Sequence, residues 1–447
     1  MTLRFGTDGV RGVANLDLTP ELVVALGRAA ARVLNSDHFV IGRDTRISGP
    51  LIEAALAAGL ASEGASVHTL GVVPTPVVAW TAAHERMAGA MISASHNKYP
   101  DNGIKLFTSE GRKLRDDVEG KLEAELDGLV HAGNDSSAAP TGDTVGTIGA
   151  SPEHLLGYAD SVVESIESRD LSGLRVVIDC ANGSAGTIAP HVLRRLGADV
   201  TVIHADPNGT NINDGCGSTH PDDLQQSVLD HRADAGLAFD GDADRVLAVD
   251  ADGAVVDGDQ IIAICALDLH ERGQLRNDTV VVTVMTNLGF RRAMTERGIR
   301  VEETAVGDRF VLDALEVGNH TIGGEQSGHV IFPDLATTGD GLLTGVQLLD
   351  VIARGGRPLH ELAAVMARFP QVMRNVRIGA GSSVTSLDDR LAGDLSAARA
   401  TLGDDGRVLV RRSGTEPLVR VMVEAATTEQ AEAVADRLAA AVSAAAS

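Results

Sequence analysis

Three aspartates in 240-DGDADR-245 stand two residues apart, directly after an apolar stretch that predicts a strand. This spacing lets the carboxylates of Asp240, Asp242 and Asp244 converge on one cation. A calcium loop of the EF-hand type is excluded, because it needs glycine where Arg245 stands and glutamate where Ala251 stands. Hard oxygen ligands with neither His nor Cys nearby favour Mg²⁺, so we predict a magnesium site here.

A second candidate is Ser95, in the polar loop 93-SASHN-97 that follows another apolar strand. We do not expect Ser95 and His96 to act as nucleophile and base, because adjacent side chains in a strand point to opposite faces. A G-x-S-x-G elbow is also absent. A phosphoryl group on Ser95 would instead give the carboxylate-bound Mg²⁺ a role, since the cation screens and polarises it. The Asn102-Gly103 pair predicts a tight turn that returns Lys105 over Ser95.

Phosphate chemistry is also indicated near the end of the chain, in 408-VLVRRSGTEPLVRVMV-423. Two alternating strands flank a turn whose arginines, hydroxyls and amides suit bidentate capture of a phosphate. In so acidic a chain, arginine on both sides of the turn favours anion binding over a plain hairpin. The predicted phosphate-binding residues are Arg411, Ser413, Gly414, Thr415 and Arg420.

The loop 323-GGEQSGHVIF-332 offers a carboxylate, Glu325, and a hydroxyl, Ser327, between glycines. These two groups suit recognition of sugar hydroxyls or of an amine. His329 in the same loop suits general acid–base chemistry, although a structural histidine fits the pattern equally well.

Two glycine-rich segments, 5-FGTDGVRG-12 and 42-GRDTRISG-49, carry arginine and acidic side chains suited to lining a cleft. Arg11 is the candidate in the first segment, and Arg245 beside the aspartates can offset phosphoryl charge. Because leucine follows Gly120-Lys121, the phosphate loop of nucleotide-driven kinases is missing.

A repeated layout must position these residues. The segments 38–71, 174–204 and 279–307 each read as a β-branched strand, a polar loop, a helix, a glycine and another strand. Their first strands lie 136 and 104 residues apart, a repeat of domain size. A later apolar strand (AGAMI, AGLAF or HTIGG) then leads into the serine, aspartate or glutamate loop. Such units predict parallel sheets that bind ligands at the carboxyl ends of their strands.

The predicted fold is α/β, with three similar domains of mixed or parallel sheets and a smaller C-terminal α+β domain, arranged around a central cleft. The segment 132–149 is rich in Gly, Ser, Ala and Thr and predicts a linker or exposed loop. The predicted domains are 1–148 with the serine loop, 152–253 with the metal loop, 255–366 with the sugar-binding loop and 370–447 with the phosphate-binding loop.

The chain has 38 basic and 62 acidic residues, and its net charge of −24 repels nucleic acid and anionic membranes. Cys180, Cys216 and Cys265 have neither a disulfide framework nor a zinc-ligand spacing, so we expect buried thiols in a reducing compartment. The sequence contains no apolar run long enough to span a bilayer and begins with no signal-peptide pattern, which predicts a cytoplasmic protein.

The motifs FGTDGVRG, SASHN, DGDADR, GGEQSGH and RRSGTEP, in this order across nearly the whole chain, resemble those of the α-D-phosphohexomutase superfamily. The resemblance implies four domains around a cleft, a phosphoserine at Ser95, and one Mg²⁺ held by its phosphate with Asp240, Asp242 and Asp244. The residues it assigns to the sugar loop and the distal phosphate clamp are Glu325, Ser327, Arg411, Ser413, Gly414, Thr415 and Arg420.

Within the superfamily, FGTDGVRG, the alanines of SASHN and DGDADR and the glutamine of GEQSGH resemble the amino-sugar branch. One departure is Lys98, where the superfamily usually has proline, and it leaves the serine loop less rigid. The branch implies an isomerase that interconverts glucosamine 6-phosphate and glucosamine 1-phosphate for cell-wall precursor synthesis. The alternatives are a phosphoglucomutase or phosphomannomutase, a phosphosugar-binding protein without catalysis, and a metal phosphatase.

The implied mechanism uses phosphorylated Ser95 to give its phosphoryl group to the substrate, forming a 1,6-bisphosphate that returns the other group. Arg245 offsets the transferred charge, Arg11 lies in the cleft, and Lys105 or His329 moves the hydroxyl proton. The expected partner is a small phosphosugar, with neither nucleic acid nor membrane, and the chain is compatible with a homodimer.

Overall fold

The computed structural model describes residues 6, 9–131, 139–377, 384–412 and 418–446. The chain divides into two compact units. The first unit comprises Met1–Met285 and Ile299–Val365, and the second comprises Thr286–Gly298 and Met366–Ser447. In the described ranges, no helix is both long enough and apolar enough to cross a bilayer.

The first unit begins with a mixed sheet. Its strands are β1 (Val10–Val13), β2 (His38–Arg43), β3 (Ser66–Val72), β4 (Ala88–Ile92), β5 (Asp101–Phe107) and β6 (Ile148–Ala150). They lie in the order β6-β3-β2-β4-β5-β1, with β2 parallel to β3 and β4, and β5 antiparallel to β4 and β1. The edge strand β6 comes from the segment 132–149, which the sequence predicted as a linker or loop, and pairs in parallel with β3.

Helices cover this sheet. They are α1 (Pro20–Leu34), α2 (Gly49–Ser62), α3 (Thr75–Glu85) and α4 (Asp116–His131). Thr19 caps α1, and proline occupies its first position, where its fixed φ suits a helix start. Glycines let α1 and α2 approach closely: a Cβ on Gly59 would lie 2.2 Å from the carbonyl oxygen of Val24. The strand between the helical layers, β2, is buried along most of its length, as expected for a covered parallel sheet.

A second sheet repeats the centre of the first. Its strands are β7 (Arg175–Asp179), β8 (Asp199–Ile203), β9 (Ala235–Phe239), β10 (Val246–Asp250) and β11 (Val255–Val256), and its helices are α5 (His154–Glu164), α6 (Ala189–Arg195) and α7 (Asp222–His231). The order is β8-β7-β9-β10-β11, with β7 parallel to β8 and β9 and with β10 antiparallel to β9 and β11.

The third sheet has the same arrangement in shorter form. Its strands are β12 (Thr279–Thr283), β13 (Arg300–Thr304), β14 (Gly323–Gly324) and β15 (Val330–Ile331), and the helices of this part of the chain are α8 (Gly258–Glu271), α9 (Leu288–Glu296), α10 (Asp308–Val317), α11 (Gly341–Gly355) and α12 (Leu359–Ala363). The order is β13-β12-β14-β15, with β12 parallel to both neighbours. Helix α9, which connects β12 to β13, groups with the second unit. The predicted repeat of parallel units is thereby confirmed.

The second unit contains an antiparallel sheet with two long helices. These elements are β16 (Gln371–Arg377), α13 (Val384–Leu402), β17 (Arg407–Arg412), β18 (Leu418–Glu424) and α14 (Thr428–Ala446). The strand order is β16-β18-β17. Alternate residues of β18 and one face of α14 form its core, including Val419, Val421, Val423, Leu438 and Val442. This matches the predicted α+β composition of the C-terminal domain.

A buried carboxyl begins α11. Asp340 accepts a hydrogen bond from the amide of Leu343, and the hydroxyl of Tyr158 donates one that its two oxygens share, at 3.0 Å and 2.9 Å. Burial raises the pKa of Asp340 to about 6, because these hydrogen bonds only partly offset the cost of desolvating the anion. The folded protein therefore holds this proton at pH values where the unfolded chain releases it.

The Asp340→Asn variant tests this linkage, since asparagine also caps a helix but carries no charge. The raised pKa makes the Asp340 contribution to stability greatest below about pH 4, and it is lost as the pH rises through about 6. We expect wild type to lose roughly 3 kcal/mol relative to Asp340→Asn between pH 4 and pH 7.5. Thermal unfolding of both proteins across this range measures the difference, with the exposed Asp252→Asn as control. A difference that does not change with pH would contradict the assignment.

Candidate active site

The three predicted metal-binding aspartates converge at the end of β9. The strand β9 is buried along its whole length. The residues that follow it therefore lie at the carboxyl end of an inner strand of the second sheet. Asp240, Asp242 and Asp244 each offer an oxygen within 4.8 Å of the others, and all are at most 3 % exposed. Within the described residues, Oδ1 of Asp242 and Oδ1 of Asp244 are buried without a hydrogen-bond partner. Such oxygens suit a hard divalent cation, so this cluster fits Mg²⁺.

Electrostatic repulsion is strong in this carboxylate cluster. Burial and the charges of Asp244 and Asp242 raise the pKa of Asp240 well above its ordinary value. Burial acts in the same direction on Asp244, but the positive charge of Lys105 and the contact with His329 hold its pKa well below the ordinary value. The Nζ of Lys105 lies 2.7 Å from Oδ2 of Asp242 and 3.1 Å from Oδ2 of Asp244. Lys105 thus supplies part of the positive charge that the cluster requires.

Lys105 reaches this position by a different route from the one predicted. Residues 101–103 do not form a turn, because they begin β5 and pair with β1, Gly103 opposite Arg11. Glycine is needed here for close packing, since a Cβ would lie 2.7 Å from the carbonyl oxygen of Ser93 and 2.8 Å from that of Val10. The Asn-Gly pair therefore marks a crowded strand rather than a hairpin.

Ser95 lies beyond the end of β4, in a left-handed conformation with φ of 52°. Its Oγ donates a hydrogen bond to Oδ2 of Asp240 at 2.6 Å. The prediction that Ser95 and His96 point to opposite faces is wrong, because they are not in a strand, and Oγ lies 3.5 Å from Nδ1 of His96. Burial and the nearby Arg245 and Arg11 lower the pKa of His96 to about 4, so its ring is neutral at physiological pH.

A buried arginine holds the backbone of the serine loop. Arg46 is 1 % exposed, and its Nε donates to Oδ2 of Asp44 at 2.8 Å. Its remaining guanidinium hydrogens go to the backbone carbonyls of Ser95, Asn97, Lys98 and Asp101. The sequence drew attention to the segment 42–49 but not to this role. Because the partners of Arg46 are backbone carbonyls, which every residue has, the sequence cannot show which residues they belong to.

The second domain closes the same loop from the other side. Nδ2 of Asn213 donates to the carbonyl oxygens of Ser95 and Asn97, at 2.9 Å and 3.1 Å. Ser93 completes the support, since its Oγ donates to Asp44 at 2.6 Å and accepts from the amide of Ser95 at 2.9 Å. The position of the Ser95 side chain is therefore fixed by groups that hold its backbone.

A cavity of about 150 Å³ joins the serine loop, the aspartate loop and the third domain. Seven of the predicted residues line it: Arg11, Ser95, Lys105, Asp244, Arg245, Glu325 and His329. The cavity also contains Val306, Gly307 and Asp308, which the sequence analysis missed. They follow β13, so the rule that ligands bind beyond parallel strands would have found them.

His329 lies between two carboxylates. Its Nδ1 is 3.8 Å from Asp244 and its Nε2 is 3.4 Å from Asp308. Burial alone would lower the pKa of His329, and the amide of Gly339, 3.1 Å from Nε2, favours the neutral ring. The two carboxylates outweigh the effect of burial and raise the pKa to about 10. In the same cavity Glu325 is oriented by the amide of Gly307, which donates to its Oε1 at 3.1 Å.

The cavity does not include every predicted residue of the first unit. Ser327 is exposed and is not among the residues that line it. In the second unit, Arg411 of β17 pairs directly with Arg420 of β18, which puts two arginines on adjacent strands. The remaining predicted phosphate ligands, Ser413, Gly414 and Thr415, lie outside the described residues.

Family models match almost the whole chain. They are the phosphoglucomutase/phosphomannomutase alpha/beta/alpha domain I at residues 2–130, domain II at 156–253, domain III at 257–369 and the C-terminal domain at 360–441. The order of the matches is that of the four predicted domains.

Curated relatives are similar over their full length. The phosphoglucosamine mutase of Frankia casuarinae is 53% identical, over 99% of this chain and 98% of the relative. That of Thermobifida fusca is also 53% identical, over 98% of both chains, and that of Symbiobacterium thermophilum is 54% identical, over 95% of both.

Solved structures share the fold. A phosphoglucomutase/phosphomannomutase family protein of Burkholderia thailandensis superposes with a TM-score of 0.80 at 26% identity, covering 99% of this chain and 97% of that one. The N-acetylphosphoglucosamine mutase of Aspergillus fumigatus, solved with GlcNAc-6P and magnesium, gives 0.72 at 18% identity, covering 100% and 96%. With the family models and the full-length relatives, these matches show that the chain belongs to the phosphoglucomutase/phosphomannomutase family.

Proposed function

We propose that the protein is an isomerase that interconverts glucosamine 6-phosphate and glucosamine 1-phosphate through a phosphoserine at Ser95 and a 1,6-bisphosphate intermediate. The observation that carries the proposal is the Oγ of Ser95, 2.6 Å from Asp240 in a buried aspartate cluster at the edge of a small charged cavity. The choice of an amino sugar is supported by phosphoglucosamine mutases that are 53% to 54% identical over at least 95% of the chain.

The metal in this proposal is one Mg²⁺, held by Asp240, Asp242, Asp244 and the phosphate on Ser95. The buried oxygens of the aspartates, described above, support this ligand set. When bound, Mg²⁺ screens the negative charge of the phosphoryl group and polarises its P–O bond.

The chain's own residues then position the phosphoryl group. Arg46 and Asn213 hold the Ser95 carbonyl, so Oγ keeps its direction as the phosphoryl group leaves and returns. Arg11 and Arg245 line the same cavity and offset negative charge on the phosphoryl oxygens. This arrangement lets the serine act as a carrier twice in each cycle.

Proton transfer falls to Lys105 or His329, since both lie in the cavity beside Ser95. Two ion pairs with the aspartates hold Lys105 in place, and contacts with Asp244 and Asp308 hold His329. Each is thus held in place and can exchange a proton with a substrate hydroxyl without a large movement.

The substrate's two ends are assigned to different domains in the proposal. Glu325, oriented from Gly307, binds the amine, and Ser327 binds a sugar hydroxyl. Arg411 and Arg420, with Ser413, Gly414 and Thr415, bind the distal phosphate. The corresponding domain boundaries are 1–148, 152–253, 255–366 and 370–447.

The cellular setting follows from the substrate. We place the reaction in the cytoplasm, where glucosamine 1-phosphate feeds UDP-N-acetylglucosamine and peptidoglycan precursors, and we retain a homodimer as a prediction for the assembly. Because the net charge of −24 repels anions, a small anionic substrate has to be held by a few local arginines.

The Ser95→Ala variant removes the phosphoryl carrier. We expect turnover of glucosamine 6-phosphate to fall by roughly 10⁴-fold or more, the scale of losing a covalent nucleophile, with the fold intact. Intact mass should show one phosphate on wild type and none on the variant. Ser109→Ala, which changes a surface serine, is the matched control and should keep both activity and phosphate. Appreciable turnover by Ser95→Ala would remove Ser95 from its proposed role.

Glu325→Gln tests recognition of the amine. An ionised carboxylate makes a stronger hydrogen bond to an ammonium than an amide does, so the ratio of kcat/KM for glucosamine 6-phosphate over glucose 6-phosphate should fall about tenfold. The amide keeps the shape of the side chain, which limits other effects. An unchanged ratio would assign the amine to another residue.

Arg46→Lys tests the support of the serine loop. Lysine keeps the charge opposite Asp44 but cannot reach the same set of carbonyls, so we expect kcat to fall about 10²-fold with little change in KM. Arg43→Lys is the control, because Arg43 lies nearby and pairs instead with Glu53. Equal effects of the two changes would argue against a specific role for Arg46.

A further inference from the structure

The second domain contains another group of metal-ligating side chains, apart from the aspartate loop. Asp179 is the last residue of β7, and His204 directly follows β8, its parallel neighbour. Cys216 lies on the loop between β8 and α7 and is 1 % exposed. The carboxyl ends of two adjacent strands thus meet a buried thiol that the sequence spacing alone did not connect with them.

The three side chains are close enough to share one ion. A carboxylate oxygen of Asp179, a ring nitrogen of His204 and the Sγ of Cys216 all lie within 4.8 Å of one another. In a tetrahedral zinc site, ligand atoms are separated by about 3.3–3.6 Å, given bond lengths of about 2.0–2.3 Å. Side-chain rotations that move these atoms by about 1 Å would therefore complete the geometry.

The two ring nitrogens of His204 each face a carboxylate. Its Nδ1 is shielded from solvent and lies 3.0 Å from Oδ2 of Asp179, a contact that raises the pKa of His204, so a metal has to displace the proton on this nitrogen. Its Nε2 lies 3.2 Å from Oδ2 of Asp223. Histidines that bind metals through one nitrogen commonly donate the other N–H to a carboxylate, and Asp223 occupies that place.

The carboxylate of Asp179 is itself fixed. The amide of Ala181 donates to its Oδ1 and the amide of Gly217 donates to its Oδ2, each at 2.8 Å. Oδ1 keeps a further lone pair for a ligand, whereas Oδ2 also faces Nδ1 of His204. Because Gly217 follows Cys216, the same contact also fixes the loop that carries the thiol.

We propose that Asp179, His204 and Cys216 bind a zinc ion, with a water as the fourth ligand. Sulfur, nitrogen and oxygen ligands together suit Zn²⁺, whereas the all-oxygen aspartate cluster suits Mg²⁺. The carboxylate and thiolate charges would balance the ion. Burial, followed by the charges of Asp179 and Asp214, raises the pKa of the Cys216 thiol to about 12, so the metal displaces a proton from sulfur when it binds.

The site has a structural consequence for the serine loop. The chain that carries Cys216 also carries Asn213, whose side-chain amide holds the carbonyls of Ser95 and Asn97. A metal bound at the ends of β7 and β8 would tie this chain to the second sheet. Zinc would thereby stabilise the support of Ser95 without touching the substrate.

The test uses the full chain, stripped with a chelator and then held in excess Mg²⁺ to fill the aspartate site. Zn²⁺ is titrated against a competing chromophoric chelator, and Co²⁺ is used in parallel because a thiolate ligand gives it a charge-transfer absorption. We expect one equivalent of Zn²⁺ and a thiolate band from Co²⁺, with a raised melting temperature. No stoichiometric Zn²⁺ and no thiolate band would overturn the proposal and leave a buried Asp–His contact beside a neutral thiol.

Variants assign the site to these residues. Cys216→Ser should remove the thiolate band, and His204→Gln should remove zinc binding, whereas Asp240→Asn, in the other cluster, should leave both unchanged. Asp223 has 65% of its side chain exposed, so Asp223→Asn provides a test that does not endanger folding. It should weaken zinc binding by about 10- to 100-fold through His204. A band that persists in Cys216→Ser, or unchanged affinity in Asp223→Asn, would contradict the proposal.

Discussion

The candidate active site depends on the hydrogen bonds that the buried guanidinium of Arg46 donates to the serine loop. A charged group in the interior is costly unless it is paired and all of its hydrogens are bonded. Here Asp44 provides the opposite charge, and carbonyls of the serine loop take the remaining hydrogens. The N–H groups of Arg46 are all hydrogen-bonded only when those carbonyls converge on it. Burial of the arginine therefore fixes the backbone on either side of Ser95. The left-handed conformation of Ser95, which costs energy by itself, is sustained by this support.

The aspartate cluster imposes a second constraint. Three carboxylates lie buried within 4.8 Å of one another, and burial together with their mutual repulsion raises the pKa of Asp240. Lys105 lowers this repulsion from one side, and Ser95 donates to the remaining carboxylate from the other. The cluster is thus stable enough to fold, while two of its oxygens remain available to a cation. A divalent ion bound here would remove the repulsion between the carboxylates, and this relief would add to its affinity.

The sequence predicts most of this site but not the means by which it is built. The strands are read from β-branched runs, and the polar residues after them are found at the carboxyl ends of the sheets, as Asp240 and Glu325 illustrate. The Asn102-Gly103 pair misled because local turn propensity was overridden by pairing with β1, where only glycine fits. The support from Arg46 is equally invisible, since backbone carbonyls have no sequence signature. Cys216 shows the same limit, because its neighbours Asp179 and His204 come together only through the register of β7 and β8.

The repeated topology explains why one cavity receives groups of such different chemistry. In each sheet of the first unit, the first strand of the repeated layout (β2, β7 or β12) lies between two parallel neighbours. One of these neighbours, β4, β9 or β14, leads into a loop at the carboxyl end of the sheet. The backbone framework is therefore shared, and only the residues after the strand differ. A hydroxyl at Ser95 suits group transfer, carboxylates at Asp240 and its neighbours suit a metal, and Glu325 with His329 suits recognition and proton transfer. Because the shared framework brings the three loops to one cavity, their groups act on one another: Ser95 bonds to Asp240, and Lys105 from the first sheet pairs with Asp242.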